Sequence, residues 1–178
     1  MKLIDRAYVE ANKAEIIEAI KNGKIFIYPT DTIYGLGTNA LLDDSVKKIR
    51  EIKKRDTKAF SVIAPNKNWI LENCEVSREE LDKYLPGPYT LFLNRNRTCV
   101  SGEVNSNDDS LGVRIPKYWF TEIITEALIP FITTSVNVAG EEQMKELKDV
   151  SREILDQVDY IVYEGENNGK PSQKINLI

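Results

Sequence analysis

Short apolar runs alternate with segments of helical apolar spacing along the whole chain, and this rhythm narrows the fold more than any other feature. The runs are "KIFIYPT", "AFSVIAP", "YTLFLNR", "LGVRIP", "PFITTSV", "YIVYEG" and "SQKINLI". Each is strand-length and bounded by turn residues. Between them, residues 12–22 place Ile16, Ile17 and Ile20 on one helical face and stop at Asn22-Gly23. Asp43 or Asp44 is placed to cap a helix to about Arg55, with Val46, Ile49 and Ile52 inward. Ser77 and Glu80 have capping-box spacing ahead of Pro86. Residues 118–128 read as a helix, and 141–157 as a largely helical stretch broken near Val150-Ser151. Residues 100–110 read as a loop. Interleaved strands and helices predict an α/β or α+β fold with a central, twisted mixed sheet. At 178 residues the chain is one domain. In such sheets, ligands gather at strand ends.

The chain contains no histidine. A His general base, a Ser-His or Cys-His nucleophile and a His-ligated zinc are therefore excluded. Cys74 and Cys99 make neither a disulfide framework nor a metal cluster. No apolar run reaches the roughly 20 residues of a membrane helix, and acids interrupt the N-terminal segment, unlike a signal peptide. A cytoplasmic setting without membrane attachment is the expectation. Net charge is −4, yet residues 47–58, "KKIREIKKRDTK", hold seven bases against two acids. That run is either an anion site or a solvated helix face.

Four stretches carry candidate chemistry. In "PTDTIYGLG", Thr30 and Thr32 alternate about Asp31, while Gly35 and Gly37 permit close backbone approach or a tight turn. No G-K-[ST] follows, so it is not a P-loop; an Asx-type β-turn explains it equally well. In "IKKRDTK", Lys53 and Arg55 would point about 200° apart on a continuing helix. They converge, with Lys58, only if the chain leaves the helix there; three cations then suit a polyphosphate. Otherwise they answer the helix dipole. In "TTSVNVAG", Thr133, Ser135 and Asn137 alternate and share one face of an extended segment. They suit phosphate or ribose oxygens, or form an ST-turn. Arg114 sits inside the apolar run "LGVRIP". A buried arginine needs a partner, either Asp31 or a substrate carboxylate.

Taken in order, "YPTDTIYGLG", the K-x-R of Lys53 and Arg55, "PGPYTLFL", "VRIP", "TSVN" and "GKPS" resemble the YrdC-like family of threonylcarbamoyl-AMP synthases, in its short single-domain form. The resemblance implies an α/β sheet with a positively charged cleft. It implies that ATP, L-threonine and bicarbonate give threonylcarbamoyl-AMP and pyrophosphate, for tRNA threonylcarbamoyladenosine modification by a downstream threonylcarbamoyl transferase. By that likeness Lys53, Arg55, Lys58, Ser135 and Asn137 hold ATP, with Mg2+ accompanying it. Lys53 and Arg55 stabilise the leaving pyrophosphate, and no general base is assigned. Thr32, Arg114 and Thr133 face threonine. The alternative within the same resemblance is an RNA-binding protein without synthase activity; YciO-like paralogues typically lack the K-x-R pattern. The chain departs from the family's pattern in a loop about one residue shorter between Arg55 and Lys58, in Ala59 and Ala139, and in Gln173, where a threonine-pocket Thr is common.

Overall fold

A computed structural model describes residues 1–55 and 57–178. The chain begins with strand β1 (Lys2–Ile4), helices α1 (Arg6–Ala11) and α2 (Lys13–Lys21), and strands β2 (Phe26–Tyr28) and β3 (Gly35–Gly37). Helix α3 (Asp43–Lys53), β4 (Ser61–Ile63), α4 (Lys67–Asn73), α5 (Arg78–Tyr84), β5 (Tyr89–Asn94) and β6 (Ser110–Arg114) follow. The remainder is α6 (Trp119–Glu126), β7 (Phe131–Ser135), a 3-10 turn at Leu147–Asp149, α7 (Arg152–Leu155), β8 (Tyr160–Val162) and β9 (Gln173–Asn176).

Among the described residues the strands form one mixed sheet, in the order β1-β8-β2-β3-β7-β4-β6-β5-β9. β3 and β7 lie at its centre, antiparallel to each other, and β9 closes the far edge parallel to β5. Strand alternation divides the core between the two faces. Phe26, Tyr28, Ile63, Phe131 and Val162 face α2 and α6, meeting Ile16, Ile20, Phe120 and Ile124. Ile27, Leu36, Val62, Ile132 and Ile161 face the other way and meet Val46, Ile49 and Ile52 of α3. No helix among the described residues is long and apolar enough to cross a membrane.

The sheet and most elements match the expectation, including the Ser77–Glu80 capping box. Three readings need correction. "GLG" is a strand rather than a turn: it pairs antiparallel with β2, and only the Thr30–Ile33 segment turns. Its glycines are packing requirements, since a Cβ on Gly35 would lie 2.7 Å from the Tyr28 ring and one on Gly37 2.0 Å from the Ile132 carbonyl oxygen. Neither Asp43 nor Asp44 caps α3, which begins from Leu42 without a side-chain cap. Asp43 instead accepts a hydrogen bond from the Ser101 hydroxyl at 2.5 Å. Residues 141–146 are not helical. Long-range bonds hold them extended: Met144 N–H donates to the Val136 carbonyl, and the Lys145 carbonyl accepts from Asn167 N–H. The break near Val150-Ser151 stands, with α7 starting on a Ser151 cap. The sequence reading missed β1, α1 and α4, which are short and carry few buried residues.

The glycine packing is testable. Gly37→Ala drives a methyl into a central-strand carbonyl, and overpacking of this kind costs about 1–3 kcal/mol. The urea midpoint should fall accordingly with unchanged slope; an unaltered midpoint contradicts the packing account.

Candidate active site

The cations converge because the backbone makes them do so. Lys54, the residue after α3, adopts a left-handed conformation with φ 47° and ψ 50°. The chain thereby leaves the helix between Lys53 and Arg55, as the K-x-R reading required. Lys53, Arg55 and Lys58 line one cavity of about 460 Å³ together with Ser135, Asn137 and Ala139. The expected shortening of the loop between Arg55 and Lys58 falls on position 56, outside the described residues.

Lys53 is only 2% exposed. Its ammonium donates to the Ser135 carbonyl and to Asn137 Oδ1, both at 2.6 Å, with Ser135 Oγ at 3.4 Å. Ser135 Oγ donates in turn to Asn137 Oδ1 at 2.6 Å, and Asn137 Nδ2 to the Glu141 carbonyl at 2.6 Å. Burial, with the charges of Arg55 and Lys58 beside it, lowers the Lys53 pKa to about 8. Arg55 donates to the Ala59 carbonyl at 2.8 Å and stacks 4.9 Å from the centre of the Phe60 ring. Its Nε is buried and has no hydrogen-bond partner among the described residues.

A second cavity of about 380 Å³ shares Arg55, Lys58 and Ser135 with the first, so the two adjoin. Its walls include Thr30, Thr90, Arg114, Thr133, Ser172 and Lys174. Arg114 is 5% exposed and pairs with Asp31 at 2.7 Å. Of the two partners open from sequence, the chain supplies Asp31. Both terminal nitrogens of Arg114 also reach Thr32 Oγ1 at 3.3 Å, while its Nε has no protein partner. Burial lowers the Arg114 pKa, and Asp31 works against that shift.

Thr32 is absent from this cavity's wall and lines an adjoining one of about 350 Å³. Thr30 Oγ1 donates to the Ile33 carbonyl at 2.7 Å, so the proton between Thr30 and Thr32, 3.0 Å apart, belongs to Thr32. Thr32 thus accepts from Arg114 and donates to Thr30, holding the guanidinium from behind. Gln173 is exposed and outside the wall, because strand alternation turns Ser172 and Lys174 toward the cavity instead. Ala59 and Ala139 act through their backbone: Ala59 as the acceptor for Arg55, and Ala139 N–H as a donor to the Lys53 carbonyl at 3.1 Å.

Residues 163–172 connect β8, second in the sheet order, to β9 at the far edge. The Tyr34 hydroxyl fastens this strap, donating to the Gly165 carbonyl at 2.8 Å and accepting from Glu164 N–H at 3.0 Å. The Glu164 carboxylate accepts from Tyr118 and Trp119 at 2.7 and 2.9 Å. Gly169 passes so close that a Cβ there would lie 1.7 Å from the Thr32 carbonyl oxygen. Sequence reasoning missed Thr90, Lys174 and Tyr34 as wall residues. The hint at Thr90 was its place in "PGPYTLFL", where it meets Ser172 Oγ at 2.7 Å.

Lys53 should titrate near 8, below the ordinary 10.5. Because the folded value lies below the unfolded one, the unfolded chain binds more protons between these values. Stability is therefore gained as pH rises from about 8 to 10.5 and lost as pH falls through 8. In a 15N-lysine NMR titration the Lys53 midpoint should lie near 8 and move up on addition of tripolyphosphate. A midpoint at 10.5 that ignores tripolyphosphate contradicts the buried-cation account.

Comparison with known proteins agrees with this architecture. The Sua5/YciO/YrdC family model, described as telomere recombination, matches residues 18–178. A Methanocaldococcus jannaschii protein provisionally named threonylcarbamoyl-AMP synthase is 34% identical, over 94% of this chain and 83% of that protein. Pyrococcus abyssi Sua5, in a crystal structure complexed with L-threonine, superposes with a TM-score of 0.87 at 25% identity. The superposition covers 99% of this chain but 54% of the Sua5 chain, so this chain spans about half of that protein. Escherichia coli YciO shares the fold, with a TM-score of 0.82 at 22% identity over 98% of this chain and 88% of its own. The chain belongs to the Sua5/YciO/YrdC family.

Proposed function

We propose that this chain is an L-threonylcarbamoyladenylate synthase. One observation carries the reading: a cavity lined by Lys53, Arg55 and Lys58 adjoins a second one walled by Arg114 and hydroxyls. The names of the relatives support it, as does the threonine complex of the Sua5 structure. ATP phosphates lie at Lys53, Arg55, Lys58, Ser135 and Asn137. Threonine occupies the inner cavity, its carboxylate on the Arg114 side, with Thr133 beside it and Thr32 fixing the guanidinium.

The chemistry needs no nucleophile from the protein. The neutral amine of threonine adds to bicarbonate carbon, water leaves, and a carbamate remains. A carbamate oxygen then attacks the α-phosphorus of ATP, and the bond to the β-phosphate bridging oxygen breaks, releasing pyrophosphate. Such a step depends on positioning and charge neutralisation. Lys53 and Arg55 face the charge that builds on the leaving pyrophosphate. Among the described residues no group of three carboxylate, Cys or His side chains converges to hold a metal. The donor set fits magnesium only as a companion of ATP, and magnesium then neutralises phosphate charge. The product is an activated carbamate, suited to a cytoplasmic tRNA-modifying transferase acting next.

Pyrophosphate release from ATP should require both L-threonine and bicarbonate, with serine as the control. Lys53→Ala should lower kcat/KM by about 10²–10³, the usual cost of removing one preorganised charge-stabilising donor. Release independent of threonine, or full activity in Lys53→Ala, contradicts the reading. RNA capture that falls steeply with salt, without pyrophosphate release, would favour the RNA-binding alternative.

A further inference from the structure

Arg50 lies on α3 and lines neither cavity of the cleft. Its side chain is nevertheless 10% exposed and directed at the loop that carries the outer cations. Nη1 donates to the carbonyl of Arg55 at 3.3 Å and to that of Lys58 at 3.2 Å. Nε donates to the Glu103 carbonyl at 2.9 Å, Nη2 donates to the same oxygen, and Nη2 also reaches the Val104 carbonyl at 3.5 Å. Phe60 N–H donates to that Val104 carbonyl at 2.9 Å. The centre of the Phe60 ring lies 4.8 Å from the Arg50 guanidinium and 4.9 Å from that of Arg55.

We infer that Arg50 is the positioning residue of the phosphate site: it fixes the backbone from which Arg55 and Lys58 project. The acceptors decide this. They include the carbonyls of the cation-bearing residues Arg55 and Lys58, which Arg50 ties to the backbone of residues 103–104 while leaving the side chains of Arg55 and Lys58 on the cavity wall. Only a planar fork with five donors reaches both carbonyls and the 103–104 backbone together; a lysine is a point donor on a flexible stem. The charge of Arg50 brings no benefit to Arg55. It lowers the proton affinity of that guanidinium, secondary to burial. What Arg50 supplies is geometry, and a misplacement of about 1 Å in a phosphoryl-transfer site can cost about 10²-fold in rate.

The inference rests on reading the cleft as a phosphate site. The test uses Arg50→Lys, which keeps charge and stem, and Arg50→Met, which keeps bulk alone. Arg50→Gln replaces Arg50→Met should that variant not fold. ATP and inorganic tripolyphosphate binding are measured by calorimetry on folded protein, alongside threonine-dependent pyrophosphate release. Loss of one or two net hydrogen bonds corresponds to about a tenfold change in affinity. All variants should therefore bind both ligands about tenfold more weakly than the unaltered chain. KM for ATP should rise in parallel while KM for threonine stays unchanged. Arg50→Lys with full affinity would show that charge matters and the fork does not. Unchanged polyphosphate affinity with a lowered melting temperature would reduce Arg50 to a structural tie. If the unaltered chain releases no pyrophosphate but its tripolyphosphate affinity still depends on Arg50, the synthase reading fails and the positioning role stands.

Discussion

The ammonium of Lys53 joins the last residue of α3 to the end of β7, and the cleft is built around that junction. β7 lies at the centre of the sheet, and α3 packs across one face through Val46, Ile49 and Ile52. Where they meet, a buried cation is held by the Ser135 carbonyl and Asn137 Oδ1, and Ala139 N–H returns a bond to the Lys53 carbonyl. Burying a charge is costly unless hydrogen bonds compensate it. Here the compensation comes from oxygens without formal charge, and among the described residues the charges that act on it are the cations Arg55 and Lys58. On the proposed reading a polyphosphate brings negative charge to this cluster, and one of its oxygens would compete for Lys53 with Asn137, which is tied by its amide nitrogen to the Glu141 carbonyl.

The inner end of the cleft follows a different rule. Arg114 has a formal counter-charge in Asp31, whose other oxygen accepts from Lys117 N–H at 2.8 Å. Breaking such a buried pair costs about 3–5 kcal/mol, because the remaining charge is left uncompensated. Arg114 is therefore a fixed directional donor, whereas the outer cations form a field. The division suits a reaction in which a small amino acid must be oriented and a triphosphate must be neutralised. The strap pinned by Tyr34 and Glu164 leads to Ser172 and Lys174, which wall the cavity that Arg114 lines.

Much of this was legible in the sequence because the signals were local. A K-x-R across a helix end converges only if the chain exits there, and Lys54 makes that exit in a left-handed conformation. An arginine in an apolar strand demands a partner, and Asp31 was one of the two choices. What was not legible depended on partners far away in the chain. Gly35 and Gly37 read as permitting close backbone approach or a tight turn until Tyr28 and Ile132 are seen to occupy their Cβ space. The side that Gln173 takes follows from the register of β9 on β5, which pairs Thr90 with Lys174. Residues 141–146 have helical composition, but bonds to Val136 and Asn167 hold them extended.

A crystal structure of the chain with L-threonine and a non-hydrolysable ATP analogue tests the two-ended cleft most directly. The account predicts triphosphate oxygens on Lys53, Arg55 and Lys58, with one displacing Asn137 from the Lys53 ammonium, and the threonine carboxylate on the Arg114 side of the inner cavity. A triphosphate bound away from Lys53, or threonine bound outside the cavity walled by Arg114 and Thr133, would contradict it.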